Sequence, residues 1–274
     1  MKIKTLIENT CSSNKFKGEH GISFYIETKK HKLLFDLGQS GLFIENARKL
    51  NVNLEEVDTV IISHGHNDHG GALKQFLEVN NTAKIYIREN AFEPHLSIHE
   101  GVSKYIGLDT SLKNHPQIIL LKENLQIDDE LYIFSDVKTK DFIAKSNNNL
   151  YMQHGEVVEH DDFTHEQNLI IKEDDLSVLI AGCAHRGIVN IVRRANEILN
   201  KDVNYCIGGF HLSSPRTGKR EDDETIDSVT KELLKSNTKY MTCHCTGLAV
   251  YELMKERMKE RLDYISTGMV VELK

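Results

Sequence analysis

Residues 57–73, Val-Asp-Thr-Val-Ile-Ile-Ser-His-Gly-His-Asn-Asp-His-Gly-Gly-Ala-Leu, place three histidines and an aspartate within six positions directly after an apolar run. Val57, Val60, Ile61 and Ile62 read as a buried strand, and Gly70 and Gly71 let the chain turn tightly into a helix at about 70–79. His64, His66, Asp68 and His69 then sit on one short loop. Mixed nitrogen and oxygen donors suit borderline-soft divalent metals, and catalytic sites leave a coordination position open. A histidine-rich surface loop is the bland alternative, but clusters of this density mark ligands far better than single histidines do.

Downstream, histidines recur where strand-like runs end. Leu176–Gly182 leads to His185, Val203–Gly208 to His211, and Lys239–Thr242 to His244. Ligands from four strand ends converge only when those ends share one edge of a layered sheet, so the order predicts an α/β chain with mixed sheets. Strands are expected at about 2–8, 22–28, 31–37, 57–63, 84–87, 118–121, 131–134, 203–208, 238–243 and 269–273. Glu173-Asp174-Asp175 reads as the turn of a hairpin between 168–172 and 176–182. Helices are expected at about 41–50, 187–199, 222–235 and 247–261; Ile188, Ile191, Val192, Ala195, Ile198 and Leu199 recur at helical spacing. Segment 88–166 is the least readable part. It holds Pro94, Pro116 and Asn147-Asn148-Asn149, and it is expected to be an insertion that shapes the pocket of a single domain spanning 1–274.

Several motifs together carry a resemblance. His64-Gly65-His66-Asn67-Asp68-His69-Gly70-Gly71 resembles the HxHxDHxGG signature of the metallo-β-lactamase superfamily, and Leu33-Leu34-Phe35-Asp36-Leu37-Gly38 resembles its upstream strand ending in Asp-x-Gly. Gly182-Cys183-Ala184-His185-Arg186-Gly187, Gly208-Gly209-Phe210-His211-Leu212, Cys243-His244-Cys245-Thr246-Gly247 and Glu19-His20-Gly21 are similar to the branch that includes the dihydropterin ribofuranosyl-aminobenzene phosphate synthases. The resemblance implies a four-layer αββα sandwich and a two-metal site, with zinc the expected metal and manganese or iron as substitutes. His64, His66 and a downstream histidine would hold one ion, and Asp68, His69 and His244 the other. His185 and His211 are the downstream candidates, and Cys183 is a further one. His165 lies near a position where many members carry a metal histidine and rivals His185. Asp68 is the expected catalytic residue, and His20 belongs to the pocket. Iron oxidoreductases of the superfamily usually carry a glutamate where His66 stands, so a redox role is disfavoured.

One departure bears on substrate. Many members place a bridging aspartate after Gly-Asp, whereas this strand ends Gly182-Cys183-Ala184-His185. A neutral histidine in place of a carboxylate leaves the metals about one charge more positive, which favours anionic oxygens. Arg216, Lys219 and Arg220, just beyond His211, are candidate contacts for a phosphate; a solvated loop is the alternative. The expected reaction is hydrolysis of an anionic, phosphate-bearing small molecule. A synthase using the same metals and a non-catalytic metal-binding partner protein are the other classes.

Composition narrows the rest. A net charge of −7 over 274 residues argues against a general nucleic-acid or anionic-membrane binder. Five cysteines without a secretory pattern argue against a disulfide framework. The start, Met1-Lys2-Ile3-Lys4-Thr5-Leu6-Ile7-Glu8, turns polar before a signal-peptide core develops, and the expected location is cytoplasmic. His95, His99, His115, His154 and His160 lack any accompanying strand or glycine pattern and are expected at the surface.

Overall fold

Lys2–Ile7 pairs antiparallel with Val270–Glu272 on one side and Ser23–Glu27 on the other, and this ribbon begins a seven-stranded mixed sheet. Lys32–Phe35 continues it antiparallel; Thr59–Ile61, Lys84–Arg88 and Ile118–Leu121 then add in parallel. Strand assignment follows composition. Phe24, Ile26, Leu33, Leu34, Phe35, Val60, Ile61, Ile85 and Ile87 are apolar and fully buried, as expected of β-rich runs covered on their faces. The helices Leu42–Lys49 and Leu73–Val79 bury Phe43, Ala47, Leu73 and Phe76 in the same cluster. This is a computed structural model, and it describes residues 1–214 and 218–274.

The chain divides into two compact units: Met1–Glu123 with Asn149–Gln167 and Ser266–Lys274, and Asn124–Asn148 with Asn168–Ile265. The sheet just described lies in the first unit, together with a four-stranded antiparallel sheet ordered Val157–His160, Leu150–His154, His95–His99, Val102–Tyr105. Residues 88–123 and 149–166 fall in the first unit and 124–148 in the second. The four-stranded sheet has no clear sequence signal. Its outer strands are exposed at every position, so no apolar alternation marks them.

The second unit is built on its own seven-stranded sheet, ordered Leu262–Tyr264, Lys239–Thr242, Tyr205–Gly208, Leu176–Ile180, Asn168–Glu173, Leu131–Phe134, Leu125–Gln126. The first four strands run parallel, and the others are antiparallel. The hairpin turn falls at Asp174, whose left-handed φ of 53° aspartate tolerates better than most residues. Ile188–Leu199 buries Ile188, Ile191, Val192 and Ala195 and ends on left-handed Asn200. Asp222 caps Asp223–Leu233 by accepting from the Thr225 N–H at 2.8 Å. Leu248–Met258 adds Val250, Met254 and Met258 to the core. Among the described residues no helix is long and apolar enough to cross a membrane.

Parallel register fixes where the loops emerge. In the second unit Ile180 pairs with Ile207, and Gly208 with Thr242, so the loops carrying Cys183–His185, His211 and His244 leave one edge of the sheet. Phe35 pairs with Ile61 in the first unit, which brings Asp36 beside Ser63–His64. Each of these loops holds a non-glycine residue at positive φ: Asp36 at 59°, Ala184 at 59°, His211 at 51° and His244 at 51°. Such backbone collects where a site over-determines its geometry.

Candidate metal centre

In the first unit Asp36 is the hub of the histidine loop. Its carboxylate accepts from the Ser63 N–H at 2.7 Å, the Ser63 hydroxyl at 2.8 Å and His69 Nδ1 at 2.6 Å, with both Asp36 and His69 fully buried. The Ser63 hydroxyl has one proton and gives it to Asp36, so its oxygen accepts from His64 Nδ1 at 2.8 Å. Both imidazoles thus carry their proton on Nδ1 and their lone pair on Nε2. Carboxylate–histidine–metal chains have this arrangement, and it fixes tautomer and ring angle together. The His64 ring lies 4.6 Å from His66 and 4.2 Å from His69, centroid to centroid. Asp68 Oδ2 is 3.6 Å from His69 Nε2 and 3.2 Å from His20 Nε2, so half-exposed His20 stands next to the expected catalytic aspartate.

His66 is flanked by a buried polar group that the sequence reading did not anticipate. His95, expected at the surface, is fully buried; its Nδ1 bonds Asp161 Oδ2 at 3.0 Å, and Asp161 also takes His165 Nε2 at 3.1 Å. The ligand-type atoms of His66, His95, Asp161 and His165 all lie within 4.8 Å of one another. Burial, followed by the neighbouring His95 and His165, holds the His66 pKa well below its ordinary value, and burial followed by His165 lowers that of His95. Burial pushes the Asp161 carboxyl up, but neighbouring His165 and the hydrogen bonds from His165 and His95 outweigh it and hold it far down. The reason His95 was missed is local. Pro94-His95-Leu96-Ser97 offers no glycine and no ligand spacing, and burial comes from pairing with Leu150–His154.

The second unit carries its own donors. The His185 and His211 rings lie tilted against each other, 4.1 Å apart between centroids, and Cys183, His211 and Cys245 bring one ligand atom each within 4.8 Å of the others. Asn147 orients His185: its Nδ2 donates to the His185 carbonyl at 2.9 Å, which leaves its Oδ1 to accept from His185 Nδ1, also at 2.9 Å. The His185 lone pair is again on Nε2. Neither ring nitrogen of His211 has a hydrogen-bond partner among the described residues, although the side chain is nine-tenths buried. His244 is buried beside them on a single turn of 3₁₀ helix. Burial pushes the Cys245 thiol up, but hydrogen bonding to Cys183 and His211 and the fields of His244 and His211 overcome it, for a net shift well below its ordinary value. Arg220 is exposed and bonds Asp223 at 2.6 Å, Lys219 is exposed, and Arg216 lies outside the described residues.

These donors fit a divalent ion. Lowered or tautomer-fixed imidazoles present lone pairs, and a buried imidazole with two unbonded nitrogens costs free energy that coordination would recover. Replacing Asn147 with alanine frees the His185 ring and should weaken zinc binding about 10-fold or more, within the range for lost orienting partners. Competition with a chromophoric chelator checks this, and unchanged affinity would sink the orienting role.

The sequence model described as "Metallo-beta-lactamase superfamily" matches residues 18–192. The chain belongs to the metallo-β-lactamase superfamily. A superfamily relative from Methanocaldococcus jannaschii, 7,8-dihydropterin-6-methyl-4-(β-D-ribofuranosyl)-aminobenzene-5'-phosphate synthase, is 30% identical over 99% of this chain and 96% of its own length. The crystal structure of Tm1679, a metal-dependent hydrolase of the β-lactamase superfamily, matches at 26% identity and a TM-score of 0.83, covering 100% of this chain and 99% of that one. Zn2+-bound PqqB from Methylobacterium extorquens shares the fold at 12% identity and a TM-score of 0.58, covering 100% of both chains. The metallo-β-lactamase fold and its divalent-metal chemistry therefore account for the donor-bearing loops.

Proposed function

We propose that this chain is a binuclear metal-dependent hydrolase acting on an anionic, phosphate-bearing small molecule, with zinc as the metal. The observation that carries the proposal is the shared tautomer of His64, His69 and His185, each holding a proton on Nδ1 against an oxygen and a lone pair on Nε2. His64, His66, Asp68 and His69 of the first unit and His185, His211, His244 and Cys183 of the second are the proposed ligands. A divalent ion held by these residues would lower the pKa of water toward about 7 and polarise a phosphoryl oxygen. Asp68 Oδ2, with His20 Nε2 at 3.2 Å, would take up a proton from the nucleophilic water, and His20 would steady the resulting carboxyl.

Charge supports the substrate class. Held by the neutral imidazoles of His185, His211 and His244, an ion would be more electrophilic toward anionic oxygens than one held by an aspartate, an advantage that a ligating Cys183 thiolate would cancel. Arg216 and Lys219 are the proposed phosphate contacts, an arginine binding bidentately and a lysine as a point charge. We expect a phosphodiester or phosphomonoester to be hydrolysed in preference to a carboxylic ester, and Arg216→Ala to raise KM chiefly for the phosphorylated substrates. Steady-state rates on all three with both proteins check this. If the ester is the best substrate and Arg216→Ala slows all three alike, the electrostatic reading is wrong.

A second reading rests on the methanogen relative, which is matched almost end to end and is named as a synthase of a ribofuranosyl phosphate compound. The same donors would then activate a phosphate-bearing sugar for bond formation. Formation of the pterin–aminobenzene product, with no hydrolysis of the esters above, would favour the synthase.

A further inference from the structure

Gly65 separates His64 from His66, and its N–H donates to His165 Nδ1 at 2.9 Å. That bond settles the proton position on His165. With Nδ1 accepting, a neutral imidazole must carry its proton on Nε2, and Nε2 faces Asp161 at 3.1 and 3.2 Å from the two carboxylate oxygens. A nitrogen that donates to a carboxylate has no lone pair for a metal. Asp161 is in turn fixed from the other side, accepting from His95 Nδ1 at 3.0 Å and from the Phe163 N–H at 2.7 Å. The packing leaves no slack at Gly65: a Cβ there would come within 2.3 Å of His95 Nε2 and 2.5 Å of the Ala91 carbonyl.

We propose that Asp161, through His165, is a positioning device that grips the Gly65 amide and so sets the spacing of His64 and His66 for metal binding. His165 is then a brace and not a ligand. The chain of bonds runs Asp161 carboxylate, His165 imidazole, Gly65 amide, and each link fixes the next. His95 holds the carboxylate from the opposite side and packs 4.1 Å from the His165 ring, centroid to centroid. Asp161 and His165 follow the strand Val157–His160, so a segment whose sequence carries no family motif reaches the loop whose motif is strongest. Asp36 fixes the histidine side chains of that loop, whereas this brace fixes its backbone, and the two devices are independent.

The inference rests on the metal-binding reading, and zinc affinity measured by chelator competition separates the two. Both His165→Ala and Asp161→Ala should bind zinc about 10- to 100-fold more weakly than wild type, the usual effect of losing an orienting partner. The double variant should be no weaker than either single one, because the residues act in series. Asparagine places Oδ1 where His165 has Nδ1, so His165→Asn should keep the Gly65 bond and most of the affinity; His165→Gln, whose oxygen falls at the Nε2 position, should not. That contrast decides the matter even if the alanine variants do not fold. Additive losses in the double variant, or equal affinities for His165→Asn and His165→Gln, would overturn the brace. Wild-type protein that binds zinc while His165→Ala matches it also removes the brace and leaves the metal reading standing. Wild type that binds no zinc removes both.

Discussion

Asp36→Ala is expected to lower zinc affinity about 10- to 100-fold and to destabilise the first unit by about 3–5 kcal/mol, although Asp36 is not itself a proposed ligand. The side chain is fully buried and accepts three hydrogen bonds, from the Ser63 amide, the Ser63 hydroxyl and His69 Nδ1. Truncation leaves the amide and the imidazole N–H without acceptors in a site closed to water, and that asymmetry makes the loss large. His64 suffers indirectly. Once the Ser63 hydroxyl no longer spends its proton on Asp36, it can donate to His64 Nδ1 and drive the His64 proton onto Nε2, the atom needed for coordination. Asp36→Asn separates the two effects, since it keeps the volume but can present an N–H where a carboxylate oxygen accepted. It should recover part of the stability and little of the affinity. Urea unfolding and chelator competition on the three proteins measure this; wild-type affinity in Asp36→Ala would remove Asp36 from its place as hub.

Asp36 also marks how far the sequence could be read. It stood inside a recognised motif, Asp36-Leu37-Gly38, yet its role depends on Phe35 pairing with Ile61, a register that no local pattern specifies. The regular elements were legible because their periodicities are local. The helix Ile188–Leu199 and the hairpin strands Asn168–Glu173 and Leu176–Ile180 lie within a residue or two of where composition put them. The donor loops were legible for a related reason: histidine and glycine cluster after apolar runs, and parallel register places three of those loops at one sheet edge in the second unit. What failed to show was the set of orienting partners. Asn147 lay in an unremarkable asparagine run, and His95 and Asp161 had no spacing relation to any motif. Asn147 reaches His185 across 38 positions, and His95 reaches Asp161 across 66. Single-sequence patterns carry no information about such pairings.

Metal removal should be the largest perturbation short of unfolding. We expect about two transition-metal ions per chain as isolated, and chelation should abolish turnover while lowering the thermal midpoint by roughly 15–30 °C. The sign and size follow from linkage. An ion that binds only the folded chain adds about 4 kcal/mol when present at a thousand times its dissociation constant, and for chains of this size each kcal/mol moves the midpoint by about 2–4 °C. Because each unit has its own donors, the loss should divide. His185→Ala combined with His211→Ala removes two imidazoles from the second unit and leaves His64, His66, Asp68 and His69 in place, so about one ion and part of the stabilisation should survive. The buried His211 nitrogens sharpen this expectation: without metal they are polar atoms held out of water with no partner among the described residues, and their replacement by a methyl group should cost the stripped protein little. The double variant should therefore lie well below wild type when both are loaded with zinc and close to it when both are stripped. Metal analysis and calorimetry on the four states test the division. A double variant that keeps the full metal content would show that the second-unit histidines are not ligands, and an equal deficit in the stripped state would assign them a structural role instead.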